Sequence, residues 1–249
     1  MSDNDIPAAR RNAALRRLNH RDVGWFLLGW VKVFLFSVGC FLVIRTFLVE
    51  AFKIPSGSME HTLLVGDFLM VNKLAYGAEV PVAHSRFPSN REPKLGDVIV
   101  FKWPVDSTKY LVKRVVGTPG DTIGMRGGVL VRNGSAVREP YVERTDAAED
   151  PSSSDFQWQR PYLVRGAIEA GSYLPSRDNW GPLVVPKGMF FALGDNRDDS
   201  SDSRYWGFVP EAAIRGSPLF VYFSIDPSPP SGSAWAARVR WSRLGEIIR

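Results

Sequence analysis

Ile54-Pro55-Ser56-Gly57-Ser58-Met59-Glu60-His61-Thr62-Leu63 sets a serine between a turn and an apolar run. A serine hydroxyl is a poor nucleophile unless a neighbouring base takes its proton. His61 stands close by, without a Gly-x-Ser-x-Gly elbow or an obvious acid partner, and alone in a loop it also reads as an ordinary surface residue. Lys113 is the stronger candidate. It sits in Tyr110-Leu111-Val112-Lys113-Arg114-Val115-Val116, apolar enough for a buried strand. A strand turns neighbouring side chains to opposite faces, so one of Lys113 and Arg114 can be desolvated while the other reaches water or an acid. Desolvation lowers a lysine pKa and frees the neutral amine as a base. The same two charges also read as guards of a strand edge.

Upstream of the serine, Val23 to Ile44 is almost wholly apolar, broken only by Lys32. As a helix it spans about 33 Å, close to the hydrocarbon thickness of a bilayer. Trp25 and Trp30 lie toward one end, as interfacial anchors do, and Lys32 can snorkel to the headgroups. A cleaved secretory signal has a shorter apolar core and a small-x-small cleavage site. Here the run passes into Arg45-Thr46-Phe47-Leu48-Val49 with no such site, so an uncleaved anchor is expected. Arg10, Arg11, Arg16, Arg17 and Arg21 precede it and predict a cytoplasmic N-terminus, with everything from about residue 46 outside.

Downstream the chain reads as mostly β. Phe68–Val71, Val98–Phe101, Tyr110–Val116 and Leu219–Phe223 are short runs rich in β-branched and aromatic residues. Gly66-Asp67, Gly96-Asp97, Pro119-Gly120-Asp121 and Arg132-Asn133-Gly134 punctuate them as turns. Residues 134–185 are looser, with Pro140 and Asp150-Pro151-Ser152-Ser153-Ser154, and read as an inserted subdomain or extended hairpin. The tail from Trp235 to Arg249 alternates apolar residues with arginines. It reads either as a solvated terminal helix or strand, or as a basic amphipathic stretch on a membrane.

Gly194-Asp195-Asn196-Arg197-Asp198-Asp199-Ser200-Ser201-Asp202-Ser203-Arg204-Tyr205-Trp206-Gly207 is dense in carboxylates, arginines and hydroxyls, which can close into one ion-paired network. It also reads as a surface loop, and it lacks the ligand spacing of a calcium loop. Cys40 is the one cysteine of the 249 residues, which excludes an internal disulfide and any cysteine-based zinc site. His20, His61 and His84 are too scattered to suggest a metal centre. The net charge of +5 gathers at the two ends, suiting anionic lipid headgroups rather than a nucleic-acid groove. No cofactor and no nucleic-acid partner are expected.

Taken in order, the three segments resemble the signature boxes of bacterial type I signal peptidases, the membrane-bound Ser/Lys proteases that remove signal peptides from exported proteins. The serine box is Ile54 through Met59 with Thr62-Leu63 and Gly66-Asp67. The lysine box runs from Tyr110 to Asp121, and the last box from Gly194 through Pro210. The resemblance implies a single transmembrane helix followed by a β-rich catalytic domain with a smaller inserted β subdomain. Its parts are expected at 1–22 (cytoplasmic), 23–45 (anchor), 46–125 and 186–226 (catalytic core), 126–185 (non-catalytic insertion) and 227–249 (basic tail).

By the same resemblance, Ser58 is the nucleophile and Lys113 the general base, with no metal. Ser56 donates its hydroxyl to the oxyanion beside the Ser58 N–H, and Ser200 hydrogen-bonds and orients Lys113. Asp195, Arg114, Asp202 and Arg204 form the supporting polar network. Phe52, Ile54, Pro55, Met59, Leu63, Leu111 and Val112 match positions lining shallow pockets for the small −1 and −3 side chains of a signal peptide. The implied partners are signal peptides of exported preproteins and a phospholipid membrane, and the implied location is the bacterial cytoplasmic membrane with the catalytic domain outside. Phe47, Leu48 and Phe52 are expected to dip into lipid. One position departs: the family pattern has proline before Thr62-Leu63, and this chain has His61, which does not lock φ. The rival readings are a dedicated Ser/Lys processing peptidase on the same scaffold and a non-catalytic envelope protein.

Overall fold

The structure, a computed structural model, describes residues 20–77, 91–145, 152–166, 172–228 and 235–249. Arg10, Arg11, Arg16, Arg17, His84 and Asp150-Pro151 lie outside them. The chain divides into two compact units, Met1–Thr46 and Phe47–Arg249.

In the first unit His20–Val43 is one α-helix, followed by a π-type turn at Ile44–Leu48. Leucine, valine and phenylalanine dominate it, and from Gly24 to Leu48 no side chain is buried within the protein. It is long and apolar enough to cross a membrane, consistent with membrane anchoring.

The second unit is β-rich, as expected. Among the described residues its strands are, in chain order, β1 (Val49–Lys53), β2 (Asp67–Asn72), β3 (Val98–Lys102), β4 (Tyr110–Gly117), β5 (Thr122–Arg126), β6 (Val129–Arg132), β7 (Ser135–Ala136), β8 (Trp180–Val184), β9 (Met189–Leu193), β10 (Val209–Pro210) and β11 (Ile214–Ser224). One antiparallel sheet has the order β1-β2-β11-β3-β4-β9-β10, the other β7-β6-β5-β8. The four runs singled out in the sequence fall within β2, β3, β4 and β11. The smaller sheet is built from chain between β4 and β9.

Alternation on the strands splits the apolar residues among three cores. Leu69, Val71, Val98, Val100 and Val221 pack beneath the serine turn with Ile54, Met59 and Leu63. Val115 joins a second core with Ile99 and Phe101, while its neighbour Val116 joins the third with Trp180 and Phe191. Strand β11 pairs with β2 over Ser217–Ser224 and with β3 at Ile214 and Gly216, so it joins the hairpin ending near Ser58 to the hairpin carrying Lys113. The tail continues this construction: Ile225 bridges Val239 and Phe220 bridges Ile247, both antiparallel. Its main chain is paired with β11 at Leu219 to Val221.

Candidate active site

Ser58 lies in a single 3-10 turn, Gly57–Met59, entered from Ser56 in extended conformation. The turn is pinned from below, because Met59 and Leu63 are buried in the core. Its closing bonds run from Thr62 N and Leu63 N to Met59 O, at 3.1 and 2.7 Å. Gly66 follows at φ +93°, and a Cβ there would lie 2.0 Å from Ile225 O. Only glycine makes that approach before Asp67 enters β2.

Lys113 is 3% exposed on β4, and its amine donates to Ser58 Oγ. Burial pushes the amine down to about 8, against the pull of the Asp202 and Asp195 carboxylates. His61 is exposed and is not the partner of Ser58. Its φ is +79°, a conformation closed to proline. The turn of this chain is therefore not the one that the expected proline would lock.

Two buried ion pairs hold the surroundings. Arg114 Nε and Nη2 grip Asp195 at 2.8 and 2.6 Å, and Asp195 accepts the Thr62 hydroxyl at 2.6 Å. This ties β4 to the serine turn. Asp202 is gripped by Arg204 Nε and Nη2, both at 2.8 Å, and also accepts Gly194 N at 3.1 Å. Burial alone would raise the Asp202 pKa, but the Arg204 guanidinium holds it below the usual carboxylate range. The same segment touches Ser58 directly, with Asn196 N donating to Ser58 O at 3.3 Å. A Cβ on Gly194 would come within 2.3 Å of that oxygen and 2.2 Å of Ser200 Oγ, so glycine is required for this close approach.

Ser200 is buried beside Gly194 but makes no hydrogen bond to Lys113. The Lys113 amine bonds Ser58 Oγ in this structure, and the Ser200 hydroxyl beside Gly194 is left without a partner among the described residues. Phe52, Ile54, Pro55, Met59, Leu111 and Val112 line, with Ser56 and Ser58, a cavity of about 110 Å³ that also reaches Lys113. Leu63 does not line it; it is wholly buried in the core below the turn. Phe52 and Tyr110 meet edge to face across the cavity, ring centroids 5.3 Å apart. Strand β9 joins β4 only from Arg114 onward, so the first half of β4 lies along the cavity without β9 beside it.

Three further residues contribute in ways the sequence does not announce, Thr62 among them although it falls in the serine box. Thr62 links both acidic and basic partners, since Arg114 Nη2 also reaches its hydroxyl at 3.3 Å. Tyr141 lies 3.9 Å beneath the Arg114 guanidinium. Glu139 holds Arg197 through two bonds of 2.8 and 2.5 Å. All three pairings join residues far apart in the chain. Among the described residues no group of three His, Cys, Asp or Glu side chains is arranged to hold a metal ion. Chemically, the site offers a hydroxyl, a buried amine poised to take its proton, and a small apolar cavity alongside.

The family described as signal peptidase, peptidase S26, matches residues 27–223. The signal peptidase I of Pseudomonas aeruginosa is 37% identical over 230 residues, covering 85% of this chain and 77% of its own. That of Pseudomonas fluorescens is 40% identical, covering 74% and 68%. That of Aquifex aeolicus is 34% identical, covering 78% and 83%.

Proposed function

Because this chain belongs to the peptidase S26 family of signal peptidases, we propose a Ser/Lys division of labour for its activity, the removal of signal peptides from preproteins. The observation that carries the proposal is the buried Lys113 amine on Ser58 Oγ, with a pKa brought down to about 8. Ser58 Oγ attacks the scissile carbonyl as Lys113 Nζ takes its proton. The Ser58 N–H and the Ser56 hydroxyl receive the oxyanion. Lys113 then protonates the departing amine, and a water activated by the same lysine releases the acyl group. The two ion pairs, Arg114 with Asp195 and Arg204 with Asp202, keep the serine turn and β4 in register; they do not exchange protons with substrate.

The small apolar cavity beside Ser58, about 110 Å³ and lined by Phe52, Ile54, Met59 and Val112, supports apolar side chains of modest size, those of an Ala-x-Ala site among them. Substrate lies extended along the open part of β4, adding a strand. The apolar helix supports a single-pass anchor in the bacterial cytoplasmic membrane, and the arginines before it support a cytoplasmic N-terminus. Residues 46–125 and 186–226 then form the catalytic core, and 126–185 a non-catalytic insertion.

The test is cleavage of a purified Ala-x-Ala precursor by wild type, Ser58→Ala and Lys113→Ala at equal folded protein. Cleavage after the second alanine, lost in both variants, is the expected result. Activity surviving in Lys113→Ala would send the base role elsewhere. Ser56→Ala should lose about 10²–10³-fold in kcat with KM little changed.

A further inference from the structure

The family match ends at residue 223, yet four contacts from beyond it land on the two segments that carry Ser58 and Lys113. Arg243 Nη2 donates to Thr62 O at 3.0 Å and to Asp67 Oδ2 at 2.5 Å. Arg240 Nη1 donates to Val65 O at 2.8 Å. Arg114, the neighbour of Lys113, donates through Nη1 to the main-chain carbonyl of Arg249 at 2.9 Å. Ile248 packs against the core formed by Ile54, Met59 and Leu63. The segment bearing these groups is fixed to β11 by its own main chain: Val221 N to Glu246 O at 3.0 Å, Gly245 N to Val221 O at 2.8 Å and Ile248 N to Leu219 O at 3.0 Å.

Resting on the assignment of Ser58 as nucleophile, we propose that residues 238–249 form a strap that holds the serine turn against β4, with Arg243 as its positioning residue. Asp67 is wholly buried, and Arg243 is the guanidinium on its carboxylate. Asp67 Oδ2 in turn accepts Leu64 N at 2.9 Å, so one arginine fixes the far end of the turn through a side chain and a carbonyl together. Thr62 is held from both sides: its hydroxyl by Asp195 and Arg114, its carbonyl by Arg243. Its N–H closes on Met59 O, one residue from Ser58. His61, at φ +79°, lacks the backbone restraint of a proline, and the strap supplies that restraint from outside the turn. A buried carboxylate without its cation is strongly unfavourable. Losing Arg243 therefore lets the turn move toward water, and a displacement on the order of 1 Å at a nucleophile is enough to cost about 100-fold in rate.

The experiment is steady-state cleavage of an Ala-x-Ala peptide by the full chain and by Arg243→Gln, Arg243→Lys and Arg240→Gln, each with a thermal melt. Arg243→Gln is expected to lose about 10–100-fold in kcat with KM within about twofold, Arg243→Lys to recover part of the loss, and Arg240→Gln to lose less. A folded Arg243→Gln protein with wild-type kcat would overturn the strap. So would a loss that appears in KM alone. Should Arg243→Gln unfold, the Asp67→Asn/Arg243→Gln pair removes the stranded carboxylate; a folded pair with low kcat supports the inference, and one with wild-type kcat ends it. Cleavage retained by Ser58→Ala would instead remove the nucleophile assignment on which the strap rests.

Discussion

Lys113 shows how a residue suited to catalysis weakens the fold that carries it. Its amine is brought from the ordinary 10.5 down to about 8. Between about pH 8 and 10.5 the unfolded chain binds a proton that the folded one refuses, so stability rises with pH across that window. Below pH 8 both states are protonated and the penalty is complete, up to about 3 kcal/mol. Lys113→Met should therefore be inactive yet more stable than wild type at pH 7, with the difference closing above about pH 10.5. Denaturant unfolding at the two pH values measures it, and equal or lower stability at pH 7 would contradict the burial argument. The pH–rate profile runs in the same direction, in a lower window. Only the neutral amine accepts the serine proton, so kcat/KM should fall about tenfold per unit as pH drops below 8. At this scale the sequence favoured Lys113 over His61 as the proposed base, since an apolar run announces burial. It did not reveal Thr62, Tyr141 or Glu139 as supports, because their partners lie tens of residues away and no local pattern encodes them.

Among the elements, the segment Gly194–Trp206 behaves as a rigid bracket and not as a surface loop. Its Asp202–Arg204 pair is fully buried, so removing one partner strands the other. Asp202→Asn should destabilise by about 3–5 kcal/mol in urea unfolding; a loss under about 1 kcal/mol would mean that water reaches the pair. Gly194→Ala should inactivate, because its methyl would be pressed against Ser58 O and Ser200. A melt within a few degrees of wild type together with lost cleavage would separate displacement of the nucleophile from unfolding. The strands β2, β3, β4 and β11 were legible because β-branched and aromatic runs stood between turn residues. Strand β1 was not: Val49-Glu50-Ala51-Phe52-Lys53 follows directly from an apolar helix with no breaker between them. The tail was illegible for a different reason. Arginines alternating with apolar residues suit water, lipid and a sheet edge equally, so no local pattern announces the pairing with β11.

For the molecule as a whole, the three cores draw their described residues from positions 52 to 248, all in the second unit. A protein comprising Phe47–Arg249 should accordingly melt cooperatively and cleave a short peptide with kcat near that of the full chain, while losing processing of precursors embedded in vesicles. A non-cooperative melt would show that the helix contributes to folding. The insertion of β11 between β2 and β3 has a consequence in time. A chain is made from its N-terminus, so the hairpin that leads to Ser58 and the hairpin that carries Lys113 both emerge before the strand that seats one against the other. Until that late strand arrives, the nascent polypeptide holds Ser58 and Lys113 on separate pieces and, on the proposed roles, is no protease. On the proposed orientation and roles, the enzyme crosses the membrane without activity, among the very precursors it will later cut.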